Sequence, residues 1–270
     1  MNLATIIGFV VGIALISYAS YAAADEAGLS IMKLWSGICL LIVVGGAMAA
    51  TAIAFKLSEV LSVFKNLKRI VSDHHYSLAD IAKDFISLAE ANKKGELQKT
   101  LESPPESMPF RLHTSTIGCE YVAGGYNKEV IVDILENMEE NRAIREERQA
   151  SVMKTMGEYT PSFGMIGTLI GLVLMLAGMG GEAVPGVNPA AQLGKSMAIA
   201  LITTLYGSVF ANFIFLPFAA KLEGISEAKE VESALILEGV KLLYDKTHPI
   251  LMRDKLNAFL DSKDRILDEE

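Results

Sequence analysis

Hydroxyl oxygens set among small residues in an otherwise apolar helix can hydrogen-bond, or ligate a cation, where water is excluded. Two stretches of this chain have that composition. In PSFGMIGTLIGLVLML, residues 161 to 176, Gly164, Thr168 and Gly171 are spaced i, i+4, i+7 and so share one helix face, while Gly167 and Gly171 make a G-x-x-x-G pair. In MAIALITTLYGSVFANFIFLP, residues 197 to 217, Ala200, Thr204, Gly207 and Ala211 share a face, with Thr203 and Ser208 beside it. Stripes this narrow let another backbone come close and offer the oxygens of Thr168, Thr203 and Thr204 to whatever passes. The plainer alternative is that the stripes only pack one helix on the other, with each threonine bonded to its own preceding turn. Gly45, Gly46, Ala49 and Ala50 show that small residues are common in another apolar run too.

Other chemistry finds little support. The run Gly194-Lys195-Ser196 suggests a phosphate loop, but Pro189 stands where that loop needs its first glycine. His74, His75, His113 and His248 lack the paired spacing of metal ligands. No serine, cysteine or aspartate arrangement pairs a nucleophile with a base, so an enzyme is not expected and neither is a cofactor. The distribution of acids is more informative. Of 32 Asp and Glu, 17 lie in residues 56 to 160, 12 follow residue 220, and Asp25, Glu26 and Glu182 make up the rest. None lies inside a long apolar run, although an ion-moving membrane protein needs an ionisable group there to pair with its ion. If this chain moves ions, another chain supplies the carboxylate.

The elements that must carry these residues are membrane spans. The mean hydropathy is +0.35, and four windows free of charge, 1–24, 34–55, 159–181 and 196–220, each suffice to cross about 30 Å of hydrocarbon. Small residues in ISYASYAAADEA resemble the end of a cleaved leader, but no Lys or Arg precedes Lys33, so the first window reads as a retained span. Basic residues near span ends stay in the cytoplasm. Residues 56–160 hold 14 of the 24 Lys and Arg and the tail from 221 holds 8, against Lys33 and Lys195 alone in the short connections. Both termini, the long loop and the tail are therefore expected on the cytoplasmic side. The net charge of −8 argues against a nucleic-acid partner. Cys39 and Cys119 imply no disulfide framework.

Between the spans the periodicity is helical throughout. LSEVLSVFKNLKRIV places Leu57, Val60, Leu61, Phe64, Leu67 and Val71 at a 3.6-residue period, an amphipathic helix continuing from the second span. SLADIAKDFISLAEANKKGELQKTLES repeats the pattern with Gly95 as punctuation, and SPPESMP at 103 to 109 breaks it. A further helix runs from about Asn127 toward the third span, its Glu139 and Glu140 in front of Arg142, Arg145 and Arg148 as on a solvated face. The tail is helical up to Pro249, with a short helix expected over 250–262. The prediction is an all-α membrane protein: four transmembrane helices (1–24, 34–55, 161–180, 196–220) and a helical cytoplasmic domain formed by the loop 56–160 and the tail 221–270.

The two striped segments, with LEGVKLLYDKTHPILMRDKL at 237 to 256, resemble the flagellar motor stator A subunit, the MotA/PomA family, and its sodium-type branch most. The resemblance implies a pentameric ring of A subunits in the bacterial inner membrane around two single-span B subunits (MotB/PomB-like) whose aspartate binds the ion. It implies a path for Na+, or alternatively H+, past Thr168, Thr203 and Thr204, with Gly164, Gly167, Gly171, Gly207 and Ala211 packing the helices. It implies coupling at Pro161 and Pro217, where each proline frees a carbonyl and tolerates a kink. It also implies contact between the loop and the rotor protein FliG, for which Lys93, Lys94 and Glu102 are the best candidates. There the chain departs from the family pattern, with Asn92 and Lys94 in place of an Arg and an acid. Two alternatives stand beside it: an ExbB/TolQ-type subunit energising outer-membrane transport, against which the first span argues, and a non-conducting helical scaffold.

Overall fold

The computed structural model describes residues 3–63, 77–102, 113–180 and 188–267, and no strand occurs among them. The breaker run 103–109, the amphipathic stretch beyond residue 63, His74, His75 and Glu182 lie outside the described residues. Four helical segments are long and apolar enough to cross a membrane: Ile7–Glu26, Ile31–Ala54, Lys128–Met179 and Pro189–Tyr244. The chain divides into two compact units, one of Met1–Asp73 with Glu147–Glu223, the other of His74–Glu146 with Gly224–Glu270.

The first unit holds all four apolar runs. Helix α1, Leu3–Glu26, meets the rest of the unit through Phe9, stacked on Phe218 at 6.2 Å, and through Gly12, where a Cβ would lie 2.6 Å from the Phe213 ring. The second span, α2, consists of Gly37–Leu40, a π turn at Leu41–Gly45, and Gly46–Ala54. Cys39, Val43, Ala47 and Thr51 are its buried line, each four residues from the last. A π turn underwinds the helix, which keeps such a four-residue spacing on one side. Ser36 caps α2 by accepting the Cys39 N–H, and its own N–H donates to the Tyr206 hydroxyl at 3.0 Å.

The expected continuation of the second span is interrupted. Phe55 is extended (φ −126°, ψ 160°) and the helix restarts at Leu57. The Glu59 carboxylate accepts the Lys56 N–H at 3.2 Å, as in a capping box, and Arg148 Nη1 at 2.8 Å. The Arg148 hydrogen bond, with smaller help from Lys56, outweighs desolvation and holds Glu59 below the usual carboxylate range. This attachment is therefore complete above that range and is lost as the pH falls through the lowered value. Behind it Val60 and Val63 pack with Val152, Met153, Met156, Phe215 and Ala219.

The third and fourth spans are parts of longer helices. Helix α6 runs unbroken from Lys128 to Gly180 with Pro161 inside it. Helix α7, Pro189–Phe210, starts seven residues before the uncharged window, because Asn188 caps it by accepting the Ala190 N–H and Pro189 takes the first helical position, where its missing N–H costs nothing. A π turn at Ala211–Phe215 links α7 to α8, Leu216–Tyr244.

The second unit is an ordinary helical core. Helix α3, Leu78–Lys94, turns Ile81, Phe85 and Leu88 inward at i, i+4, i+7 and ends at Gly95, whose φ of +77° is the left-handed cap that glycine adopts without strain. Helices α4, Leu97–Glu102, and α5, His113–Ala123, follow. They contribute Leu97 and Cys119 to a cluster with Ile131, Leu135, Leu235, Ile236, Val240 and Leu243. Gly239 lets Phe85 approach to within 2.7 Å of where a Cβ would sit. Burying Phe85 fully is worth about 2 to 3 kcal/mol. Desolvation, with a smaller effect of Glu120, pushes the Cys119 thiol up to about 12, so it stays protonated near neutral pH. Pro249 both follows the stop of α8 and opens α9, Pro249–Leu256, with His248 as cap.

The charge run is more than a solvated face. Arg142 pairs with Glu139 and Glu146 on α6, and Glu146 also accepts Lys229 Nζ of α8 at 2.8 Å. Desolvation opposes the charge on Arg142, but hydrogen bonding to Glu139 and the charges of Glu146, Glu139 and Glu230 prevail and raise its pKa.

Candidate ion path between two spans

The striped faces of α6 and α7 meet at backbone distance. A Cβ on Gly164 would stand 3.0 Å from the Thr203 carbonyl and 3.4 Å from the Gly207 Cα. One on Gly207 would stand 3.1 Å from the Thr160 carbonyl and 3.2 Å from the Cα atoms of Gly164 and Pro161. Gly171 faces the Ser196 carbonyl and Ala200 at 2.8 to 2.9 Å, and Gly167 faces the Thr203 side chain at 2.5 to 2.6 Å. Ala211 is fully buried at the start of the π turn. Each of the five residues expected to pack the helices therefore sits in a tight or buried place.

Three hydroxyls converge on one carbonyl within this contact. The Ala200 oxygen lies 3.1 Å from Thr168 Oγ1, 2.9 Å from Thr203 Oγ1 and 3.3 Å from Thr204 Oγ1. Thr168 and Thr204 also touch each other, oxygen to oxygen, at 2.6 Å, and Thr168 lies 3.1 Å from its own-helix carbonyl at Gly164. Two hydroxyls carry two protons and four lone pairs, and their mutual bond uses only one lone pair. The pair thus keeps acceptor capacity after satisfying the carbonyls around it. Thr204 is exposed and Thr168 half-buried, so that capacity opens onto the surface of the unit.

Thr203 is placed differently. It is fully buried, its hydroxyl is spent on the Ile199 and Ala200 carbonyls, both 2.9 Å away, and its side chain fills the space above Gly167. Adjacent positions on a helix lie about 100° apart, so both threonines cannot occupy the same face.

The two prolines interrupt their helices in different ways. Pro161 leaves the Gly157 carbonyl without its usual donor, beside the close contact of Gly157 with Leu216. Pro217 follows the π turn, in which the Leu216 N–H reaches back to the Ala211 carbonyl, and that looser turn absorbs the missing bond and the ring. Lys93, Lys94 and Glu102 are exposed at the ends of α3 and α4. Asn92 points inward instead, donating to the Leu243 carbonyl at 2.8 Å, so at this departure from the family pattern the side chain holds the unit together.

Sequence reasoning passed over several polar side chains of the spans. Tyr206 donates to the Leu34 carbonyl at 2.7 Å and fastens α7 to the start of the second span. Thr160 is fully buried and bonds the Met156 carbonyl. Ser196 and Gln192 extend the α7 stripe, and their places four and eight residues before Ala200 were the available signal. Among the described residues no three His, Cys, Asp or Glu side chains cluster as a metal site requires.

Fold and site together define a helical membrane protein in which two spans press glycine stripes together around neutral oxygens, with no charge between them. The chain belongs to the MotA/TolQ/ExbB proton channel family, whose model matches residues 110–234. It is 33% identical over 266 residues to Motility protein A of Borreliella burgdorferi, covering 98% of this chain and 96% of that one. It is 28% identical over 271 residues to the Chemotaxis protein PomA of Vibrio alginolyticus, covering 99% of each. The fold matches a chain in the structure of C. jejuni MotAB with a TM-score of 0.83 over 100% of both chains, at 22% identity.

Proposed function

We propose that this chain is the MotA-type subunit of a flagellar stator, in which cations cross between it and a single-span B partner and drive the rotor. The carrying observation is the Thr168–Thr204 oxygen pair, 2.6 Å apart on an exposed face, in spans that contain no carboxylate of their own. The partner's aspartate supplies the charge and the threonines supply neutral ligands. Likeness over nearly the whole length to motility proteins favours this reading over a transport-energising ExbB/TolQ subunit. In this reading the chain lies in the bacterial inner membrane with the second unit and both termini in the cytoplasm. Five copies surround two B subunits, and Lys93, Lys94 and Glu102 face the rotor protein FliG.

Sodium is the preferred ion. A bare sodium ion needs several oxygen ligands, whereas a proton needs only the carboxylate and a hydrogen-bonded path. The test is swimming speed in cells carrying this stator with sodium varied at fixed pH, repeated with Thr204→Ala and Thr168→Ala. Speed that saturates with sodium, and a half-saturating concentration that rises several-fold in the alanine variants, is expected. Speed indifferent to sodium but abolished by a protonophore transfers the function to protons.

Coupling is assigned to the two prolines, since Pro161 leaves the Gly157 carbonyl without its donor and Pro217 follows a looser π turn, so that each helix can bend there. Pro161→Ala or Pro217→Ala is expected to leave normal amounts of complex in the membrane and to reduce motility severalfold. Normal swimming by both variants would make the prolines incidental.

A further inference from the structure

Beyond Ala200, toward the N-terminal end of α7, the tight contact with α6 gives way to a cavity of about 320 Å³. Its wall is mostly apolar, with Leu174, Met175 and Met179 of α6, but α7 contributes two polar side chains, Gln192 and Ser196. Ser196 is only 8% exposed, and among the described residues nothing hydrogen-bonds its hydroxyl. A serine in a helix can bond the carbonyl four residues earlier. Here it does not, and a buried hydroxyl without a protein partner is kept where a water or ligand completes it. Gln192 lies across the cavity against Gly178, its Nε2 3.4 Å from where a Cβ would sit.

These groups lie on the same helix as Thr204, each four-residue step turning about 40° around its axis. Gln192, Ser196, Ala200 and Thr204 follow one another at steps of four along α7, and Ser196 is about 12 Å from Thr204 along the axis. Among the described residues no carboxylate and no basic side chain lines the cavity. It therefore offers oxygens without a charge, which suits a site that must receive a cation and release it again.

We propose that this cavity is a hydrated station on the ion path, where the Ser196 hydroxyl and the Gln192 carboxamide replace part of the water shell of the incoming sodium or hydronium ion. The proposal rests on the stator reading above and adds a residue pair that governs how readily the ion loads.

The experiment uses the intact A/B complex in proteoliposomes and measures ion flux against sodium at fixed pH, and against pH at fixed sodium. Ser196→Ala, which removes the hydroxyl without adding bulk, is expected to raise the half-saturating cation concentration about fivefold, the worth of one neutral hydrogen bond, with the maximal flux within twofold. Gln192→Leu should act in the same direction, and Ser196→Thr should behave as the parent. The series that responds, sodium or pH, identifies the ion. A second measurement does not depend on those variants: Ser196→Cys in the assembled complex should react with a small cationic thiosulfonate reagent, measured against the parent chain, whose Cys39 and Cys119 are buried. Unchanged half-saturation in Ser196→Ala, or an unreactive Ser196→Cys, overturns the station. If Thr204→Ala also leaves flux unchanged, the ion-path reading fails with it; if Thr204→Ala alone shifts flux, only the station fails.

Discussion

Replacing Gly171 by valine is expected to abolish the assembled complex, and replacing it by alanine to weaken the complex measurably. The α-carbon of Gly171 faces backbone, not a side chain that could swing away. An added Cβ would stand 2.8 Å from the Ser196 carbonyl and 2.9 Å from the Ala200 nitrogen, distances that real Cβ atoms do not occupy. Alanine therefore requires α6 and α7 to move apart by several tenths of an ångström, and valine requires more, at a cost of about 3 kcal/mol or above. The loss is large because apolar surface gains little from leaving lipid, so close packing and interhelical hydrogen bonds hold spans together. Separation would also stretch the bonds that bring Thr168 onto the Ala200 carbonyl. Gly194 is the control on the same helix, since a Cβ there meets nothing within 4 Å. Gly194→Ala should be neutral or slightly stabilising, by up to about 1 kcal/mol of helix propensity. Size-exclusion chromatography and thermal unfolding of the detergent-solubilised complex check both. A Gly171→Val complex that assembles and melts like the parent would show that the two helices do not rely on this contact.

The purified chain on its own is expected to conduct no cations, and current should appear only when the B partner is present. A cation in hydrocarbon needs a counter-charge, and an unpaired charge at mid-membrane costs at least about 2.5 to 3.5 kcal/mol. The spans offer hydroxyls and carbonyls but no acid. With a carboxylate beside the Thr168–Thr204 pair the requirement is met. One ion crossing a potential of about 150 mV then delivers roughly 3 to 4 kcal/mol, enough to bias a two-state step a few hundredfold. Ion flux into proteoliposomes holding the chain alone, set against co-reconstituted complex, is the measurement. A robust cation current from the single subunit would remove the division of labour between the chains.

Both predictions draw on features of unequal visibility in the sequence. Four uncharged windows and a uniform helical period made the all-helical, four-span class legible, because crossing hydrocarbon demands length and apolarity that composition reports directly. Element boundaries were less visible. The start of α7 at Pro189 was written in the Asn188-Pro189 pair but hidden inside what read as a connecting loop. The break at Phe55 was not legible, since it depends on Glu59 accepting both the Lys56 N–H and the distant Arg148. The π turn ahead of Pro217 was likewise not read from the sequence.

At the site the same division holds. Residue types and their spacing determined by themselves that Gly164, Thr168 and Gly171 share a face, that Thr204 and Gly207 share another, and that no acid joins them, because helical geometry is a local property of the chain. Spacing could not decide between two neighbouring threonines. Thr203 and Thr204 have the same side chain and adjacent positions, and only the approach of α6 separates them, burying Thr203 over Gly167 and leaving Thr204 oxygen to oxygen with Thr168. That the Ser196 hydroxyl has no partner among the described residues was equally beyond the sequence. Whether a small polar residue is satisfied depends on the exact distance between two helices, and that distance is set by every glycine contact along them at once.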